Sequence, residues 1–218
     1  QVGGRRIYLV DKPGAAQSEI RIGRIGADRF TVDYYSLQVM NTILGGSFAS
    51  RLNMNLREEH GYSYGARSSF SFRPTAGPFL ASAAVQTDVT DSALVEFIRE
   101  LNGILEPVSD EEIERGRNFV ALRFPGRFQT VVGIANRLSE LVTYNLPDDY
   151  FNRYIDNILA VTKDEVREVA RDYLDSERMA IIVVGDRERI LAGIEALQLG
   201  EIELFTIEDV LGPPPTIE

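Results

Sequence analysis

The sequence predicts an α+β domain in which helices pack on a mostly antiparallel sheet. Three observations indicate this class: short segments with alternating apolar residues open the chain, helical periodicity fills its middle, and a continuous apolar strand follows. With 218 residues, of which 44% are hydrophobic, the chain is long enough to bury a substantial core. We find no internal repeat and no interior domain boundary. Residues 1–211 are therefore predicted to form one domain, and the proline-rich residues 212–218 a tail or linker.

Two short strands are predicted at the start of the chain, in "RRIYLVDKP" (5–13) and "SEIRIGRIG" (18–26). Pro13 and Gly14 separate them, and this pair is typical of a turn. The two segments therefore predict a hairpin-like start.

The next segment, "DYYSLQVMNTILGG" (33–46), has the period of a helix that starts at Asp33 and stops at Gly45 and Gly46. Its predicted buried face consists of Leu37, Met40 and Leu44.

A second helix is predicted directly afterwards, with Ser47 as its N-cap. Phe48, Leu52 and Leu56 recur every fourth residue and form its predicted buried stripe. Gly61 is expected to end this helix in the left-handed conformation.

Beyond Gly61 the period changes to two, which predicts strands at 62–72 and 78–88. Residues 90–176 are predicted to be almost wholly helical, with capping boxes at Ser109/Glu112 and Thr162/Glu165. A strand in "RMAIIVVGD" (178–186), a helix at 187–199 and a terminal strand in "EIELF" (201–205) complete the pattern.

Charge and composition exclude several classes of function. The net charge of -10 makes nucleic acid and anionic membranes poor partners and favours cationic peptides. The absence of cysteine removes disulfides, thiolate nucleophiles and cysteine-based zinc sites. Apolar runs such as "MAIIVV" are strand-sized, so no transmembrane segment is expected. The start "QVGGRRIYLV" has neither an initiator Met nor a signal-peptide pattern, which suggests a piece of a longer protein.

The stretch "LREEHGYSYG" (56–65) looks like half of the zinc-peptidase motif H-x-x-E-H. That motif needs two imidazoles one helical turn apart, and His60 is the only histidine of the chain. We therefore predict no metal site, and interpret Glu58 and Glu59 as a solvated helix face. Dinucleotide and Walker-type loops and a serine nucleophile elbow are also missing from the sequence.

Three segments carry a resemblance to a known family: "NTILGGSFASRLNMNLREEHGYSYGARSSF", "VSDEEIERGRNFVALRF" and "YIDNILAVTKDEVREVARDYLDSERMAIIVVGD". Together they resemble the C-terminal, non-zinc half of the M16 zinc metallopeptidases, the family of pitrilysin, insulin-degrading enzyme and the mitochondrial processing peptidase. The resemblance covers nearly the whole chain and implies the LuxS/MPP-like metallopeptidase domain.

The resemblance implies a role for two residues in particular. In that family the non-zinc domain supplies an arginine and a tyrosine that touch the substrate beside a zinc ion held by the opposite domain. The matching residues are Arg57 and Tyr64, seven positions apart, with Tyr62 as a competitor on the same predicted strand face. Gly45 and Gly46 match a loop that touches substrate in some members, although a backbone-turn role explains them as well.

The resemblance also implies partners and a setting. The zinc ion is expected on a partner domain or subunit, and the substrate is an unfolded peptide. The bacterial periplasm is favoured because bacterial relatives are often exported there. The chain alone, which lacks H-x-x-E-H, is predicted to be inactive. Two alternatives stay open: a catalytically inactive scaffold or assembly subunit of the same fold, and a generic α+β module that binds peptides at a sheet edge.

Overall fold

A computed structural model describes residues 4–213. Residues 1–3 and 214–218, which include most of the predicted tail, lie outside the described part. Within it, six strands form one sheet in the order β3-β4-β2-β5-β1-β6. Three of the five strand pairs are antiparallel, which confirms the predicted α+β class with a mostly antiparallel sheet. The strands are β1 (Arg6–Asp11), β2 (Gln17–Ile25), β3 (Ser63–Phe70), β4 (Pro78–Gln86), β5 (Ala180–Gly185) and β6 (Glu201–Phe205).

The predicted hairpin between β1 and β2 is wrong. Strand β5 lies between them and pairs with β1 in parallel and with β2 in antiparallel orientation. All three strands bury aliphatic side chains on the same face, and β5, with the sequence AIIVVG, adds a fully apolar strand to the centre of the sheet. The local turn at Pro13-Gly14 is present, but it does not decide which strands pair.

One face of the sheet is buried and the other is open. Every second residue of the central strands points to the buried face and is fully inaccessible to solvent: Ile7, Leu9, Ile20, Ile22, Phe79, Ala81, Ile181 and Val183. The opposite face carries partly exposed residues such as Arg21, Ile182 and Glu203. This alternation is what an antiparallel sheet covered by helices on one side requires.

The helices that accompany the sheet follow the predicted order. They are α1 (Tyr34–Asn41), α2 (Arg51–Asn53), α3 (Thr90–Gly103), α4 (Asp110–Arg123), α5 (Val131–Thr143), α6 (Tyr154–Ala160), α7 (Lys163–Tyr173), α8 (Arg187–Ala196) and α9 (Ile207–Leu211). Both predicted capping boxes are present, at the starts of α4 and α7. Among the described residues, no helix is long and apolar enough to cross a membrane.

The start of the second helix differs from the prediction. Helix α2 begins at Arg51 with Ser50 at the N-cap, so Ser47 is not its cap. Phe48 precedes the helix and is 61% exposed, whereas Leu52 and Leu56 are fully buried as predicted. The backbone at Ser47 is extended, so the helix has not yet begun at Phe48. The four-residue spacing from Phe48 to Leu52 therefore does not place Phe48 on the buried face of the helix.

A buried arginine fastens the α5 segment to the rest of the domain. The Arg29 guanidinium lies 3.7 Å from the centroid of the Tyr34 ring and donates to a Glu140 carboxylate oxygen at 3.2 Å and to the Tyr150 hydroxyl at 2.8 Å. Arg29 is only 5% exposed, so these contacts replace part of the hydration that its charge has lost, while its Nε has no hydrogen-bond partner among the described residues. Burial raises the pKa of Tyr150, which keeps its phenol neutral.

An ion pair between Arg51 and Glu112 joins helices α2 and α4, and Glu112 also caps the start of α4. Glu112, the N3 residue of the α4 capping box, accepts from Arg51 through both carboxylate oxygens, at 2.6 and 3.0 Å. Burial alone would raise the pKa of Glu112. The hydrogen bonds from Arg51 and Ser109 outweigh this effect and lower that pKa to about 2. The pair therefore stabilises the fold only while Glu112 is ionised.

We predict that Glu112 contributes to stability above pH 4.5 and that this contribution is lost as the pH falls towards 2. The sign follows because the pKa is depressed from 4.5 in the unfolded chain to about 2 in the folded one. In urea unfolding at pH 6 and pH 3, Glu112→Gln should remove a pH-dependent difference of about 2 kcal/mol. Glu111→Gln, at an exposed carboxylate, should keep the wild-type pH dependence. Equal pH dependence in both variants would contradict the assignment.

Candidate functional site

The two residues singled out by the sequence lie on the segment that runs from the end of α2 to the start of β3. After α2 the chain continues as a wide π-helical stretch, Met54–Glu59, whose end is closed by a hydrogen bond from the His60 N–H to the Asn55 carbonyl at 3.0 Å. Gly61 follows with a φ of 66°, the left-handed conformation that was predicted for it. Such π-helical turns are rare and frequently lie at functional sites.

Arg57 lies in the last turn of this π-helical stretch, with its side chain 41% exposed. Its guanidinium carbon is 4.8 Å from the centroid of the Phe48 ring, and its Nε is 3.2 Å from a carboxylate oxygen of Glu58. A surface ion pair of this kind contributes about 0–1 kcal/mol, so a ligand can replace it at little cost. The ring below the guanidinium limits where the cation can move.

Tyr64 lies at the start of the edge strand β3, and its side chain is 90% exposed. The pairing of β3 with β4 is irregular between Ser63 and Ala66, which is the mark of a β-bulge. The Gly65 N–H donates to the Ser63 hydroxyl within this bulge, at 3.1 Å. The irregular backbone thus turns the tyrosine outward instead of into the core.

Tyr62 has a different environment from Tyr64. It is partly buried against the core and stacks on His60, with the ring centroids 4.9 Å apart. The prediction that both tyrosines share one strand face is wrong, because Tyr62 precedes β3 and the bulge changes the alternation after it. His60 itself is exposed at the helix end, with its Nε2 3.8 Å from a Glu96 oxygen.

The chain brings Arg57 and Tyr64 into one exposed segment but does not link them directly. Both belong to the described part, and no hydrogen bond or cation–π contact joins them there. Arg57 contacts Phe48 and Glu58 instead, and the Tyr64 hydroxyl projects from an almost fully exposed side chain. Each polar group is therefore accessible to a ligand from outside the chain.

Asn53 is a positioning residue that the sequence reasoning missed. It is 5% exposed, donates to the Phe48 carbonyl at 2.7 Å and accepts from the Ala66 N–H at 3.2 Å. It thereby connects the backbone before α2 to the strand that carries Tyr64. The signal in the sequence is the pair Asn53 and Asn55 inside an otherwise helical segment, where asparagine is unfavourable unless its amide has a partner.

The two predicted glycines have unequal surroundings. They end the π-helical stretch Thr42–Gly46, which follows α1. Gly45 is buried, and a Cβ there would lie 2.3 Å from the Ser68 backbone nitrogen. Gly46 is exposed, and a Cβ there would lie 2.8 Å from the Asn41 side-chain nitrogen. At Gly45 the close approach of helix and strand explains the glycine without a ligand.

Across the described ranges, no group of three or more His, Asp or Glu side chains is arranged to hold a metal ion. The acidic side chains near His60 are already engaged: Asn55 donates to Glu96 at 2.7 Å and to Glu100 at 2.8 Å. The residues around the candidate site therefore do not fit a zinc ion.

The fold has clear counterparts among solved structures. A crystal structure of a peptidase M16 inactive domain from Pseudomonas fluorescens matches 83% of this chain and 43% of its own length, with a TM-score of 0.76 and 24% identity. A protease from Helicobacter pylori matches 84% of this chain and 45% of its own length, with a TM-score of 0.77 and 16% identity. At these identities the likeness defines the fold class.

Sequence comparison gives the family. The family model described as the peptidase M16 inactive domain matches residues 1–120, which is more than half of the chain. The chain therefore belongs to the M16 peptidase family. An uncharacterized zinc protease from Streptomyces coelicolor is 30% identical over an alignment of 189 residues that covers 83% of this chain and 39% of that protein. The chain thus spans about two fifths of the length of this curated relative.

We predict that Gly45→Ala destabilises the fold, because the new methyl group would meet the backbone and side chain of Ser68. Overpacking of this kind costs roughly 1–3 kcal/mol, which chemical denaturation would measure. Gly103→Ala is the matched control, since its methyl would lie 3.7 Å from its nearest neighbour, an Arg51 nitrogen. A Gly45→Ala variant as stable as this control would show that the close approach relaxes freely.

Proposed function

We propose that this chain is the non-zinc half of an M16 zinc metallopeptidase. In this proposal Arg57 and Tyr64 bind the peptide substrate and stabilise the transition state of its hydrolysis at a zinc ion on a partner domain or subunit. The family membership supports the general assignment. The particular role of the two side chains rests on their environment in this chain.

The observation that carries the proposal is the exposure of Tyr64. A tyrosine in a sheet normally covers part of the core with its ring, yet this ring is 90% exposed on a strand whose bulge turns it outward. Tyr62, two residues earlier, shows the ordinary alternative because it packs on the core and on His60. Its exposure favours Tyr64 over Tyr62 as the tyrosine that contacts the ligand.

The two side chains have complementary chemistry for peptide hydrolysis. Negative charge develops on the scissile carbonyl oxygen as the peptide bond is attacked. A phenol O–H and a guanidinium both donate hydrogen bonds, and a guanidinium adds a fixed positive charge. Donors held in place before the reaction stabilise the developing charge without reorganisation. Phe48 supports this arrangement by stacking on Arg57.

The zinc ion belongs on another domain in this proposal. The described residues of this chain do not fit it, and the relative from Streptomyces coelicolor is called a zinc protease. Since that relative has additional length beyond the matched region, a second domain is the natural location of the metal ligands. The net charge of -10 favours a cationic peptide as the substrate.

We predict that Tyr64→Phe in the complete protein lowers kcat/KM for peptide cleavage about 10²–10³-fold, because it removes one donor to the developing oxyanion. Steady-state cleavage of a fluorogenic peptide measures this effect. Zinc content and the circular dichroism spectrum should stay at wild-type values. Tyr62→Phe, which removes a hydroxyl from the packed tyrosine, should retain activity. Unchanged turnover in Tyr64→Phe would contradict the catalytic role of Tyr64 and favour the inactive scaffold.

A second prediction concerns the cation. Arg57→Gln should lower kcat/KM about 10²-fold, and Arg57→Lys should be intermediate because it keeps the charge but loses the planar fork and the stack on Phe48. The matched control is Arg99→Gln, since Arg99 is likewise an exposed arginine paired with a glutamate, Glu96. An Arg57→Gln enzyme as active as the Arg99→Gln enzyme would rule out a role for this guanidinium.

A further inference from the structure

Helix α5 presents an apolar stripe that nothing in the described chain covers. Val131, Ala135, Leu138 and Val142 follow the spacing of one helical face, and each is exposed. The exposed fractions of Val131, Leu138 and Val142 are 84%, 57% and 83%. None of the 13 residues of the helix is buried in the described structure. The helix is therefore amphipathic, with its apolar face turned to solvent.

The opposite side of the α5 segment is fixed to the domain. Glu140 pairs with the buried Arg29 at 3.2 Å and also with Arg137. The hydroxyl of Tyr144, directly after the helix, donates to the Phe72 carbonyl at 3.2 Å. The stripe is thus held outward by polar contacts on the other face, so its exposure does not come from a detached helix.

The charge pattern sets α5 apart from the helices around it. Its only two charged residues, Arg137 and Glu140, pair with each other. Helices α4 and α7 are densely charged by contrast, as their sequences DEEIERGRNFVALR and KDEVREVARDY show. Depletion of charge around exposed apolar side chains is the compositional mark of the core of a protein–protein interface. Full exposure to solvent would not by itself explain this depletion of charged residues on a helix of an acidic protein.

The size of the stripe indicates what kind of partner it fits. A helix of 13 residues is about 20 Å long, and a stripe about 10 Å wide on it covers roughly 200 Å². A stable interface buries about 800 Å² on each partner. Pairing of this stripe with that of a second copy would therefore be too small, whereas a domain with other contacts, or one tethered to this chain, gains from even a small apolar contact.

We infer that the α5 stripe is a docking surface for the zinc-bearing domain of the complete protein. This inference rests on the proposed function for the identity of that domain. The Streptomyces coelicolor relative and the two solved structures each have more than half of their length outside the matched region, which is enough for a further domain of similar size. An apolar, uncharged surface on that domain is the chemistry that complements the stripe.

The test is a site-specific photocrosslink in the complete protein. Leu138→p-benzoylphenylalanine places the photoreactive group in the middle of the stripe, at a side chain whose exposure makes the substitution harmless to folding. After irradiation, peptide mass spectrometry should locate the adduct in the zinc-bearing domain. Val95→p-benzoylphenylalanine on α3, at a residue that is 44% exposed, is the matched control and should give no adduct with that domain.

The other outcomes overturn the inference. An adduct between two copies of residues 131–142 would make the stripe a self-association surface, and a lack of any protein adduct at position 138 would make it a solvated face. The result is independent of catalysis. If the crosslink is absent but Tyr64→Phe lowers kcat/KM as predicted, the docking surface is wrong and the catalytic assignment stands. If the crosslink forms but Tyr64→Phe leaves turnover unchanged, the catalytic assignment is wrong and the docking surface stands.

Discussion

The geometry of the candidate site depends on the buried side chain of Asn53. It donates to the Phe48 carbonyl and accepts from the Ala66 N–H, so it joins the backbone on both sides of the exposed segment. Removing this amide would leave the buried Ala66 N–H without a partner, at a cost of about 1–3 kcal/mol, and would also remove the bond to the Phe48 carbonyl. Arg57 and Tyr64 are exposed, but the backbone that carries them is fixed by a polar contact in the interior.

A second buried contact extends this frame along β3. Asn41 and Ser68 exchange hydrogen bonds, at 3.2 Å through the Ser68 carbonyl and 2.8 Å through its hydroxyl. Gly45 lets the end of the π-helical stretch approach the same strand closely. Because β3 is an edge strand, it has ladder partners on one side only, and these helix contacts replace part of the restraint that a second neighbouring strand would give.

Local signals in the sequence predicted most of the fold, and the errors occur where distant residues decide. The capping boxes at Ser109 and Thr162 depend on four consecutive residues and were predicted correctly. The hairpin failed because β5, about 170 residues beyond β1, takes the position between the first two strands. At the site, the sequence singled out Arg57 and Tyr64 through a family resemblance. It could not supply the bulge that separates Tyr64 from Tyr62, because a bulge arises from the register of two paired strands.

The positions of the two proposed contact regions constrain the partner. Tyr64 lies at the start of β3, while the α5 segment is attached at Phe72, just beyond the end of the same strand. Eight strand residues span about 25 Å, so a single body that reaches both regions must be at least that long. A domain of about 200 residues has a radius of gyration near 17 Å and satisfies this condition, whereas a short substrate peptide bound at Tyr64 alone does not cover α5. If one domain docks on the α5 stripe and extends to the region of Tyr64, the stripe fixes the orientation of that domain at a distance from the chemistry. The Arg57 and Tyr64 side chains then remain free for the peptide.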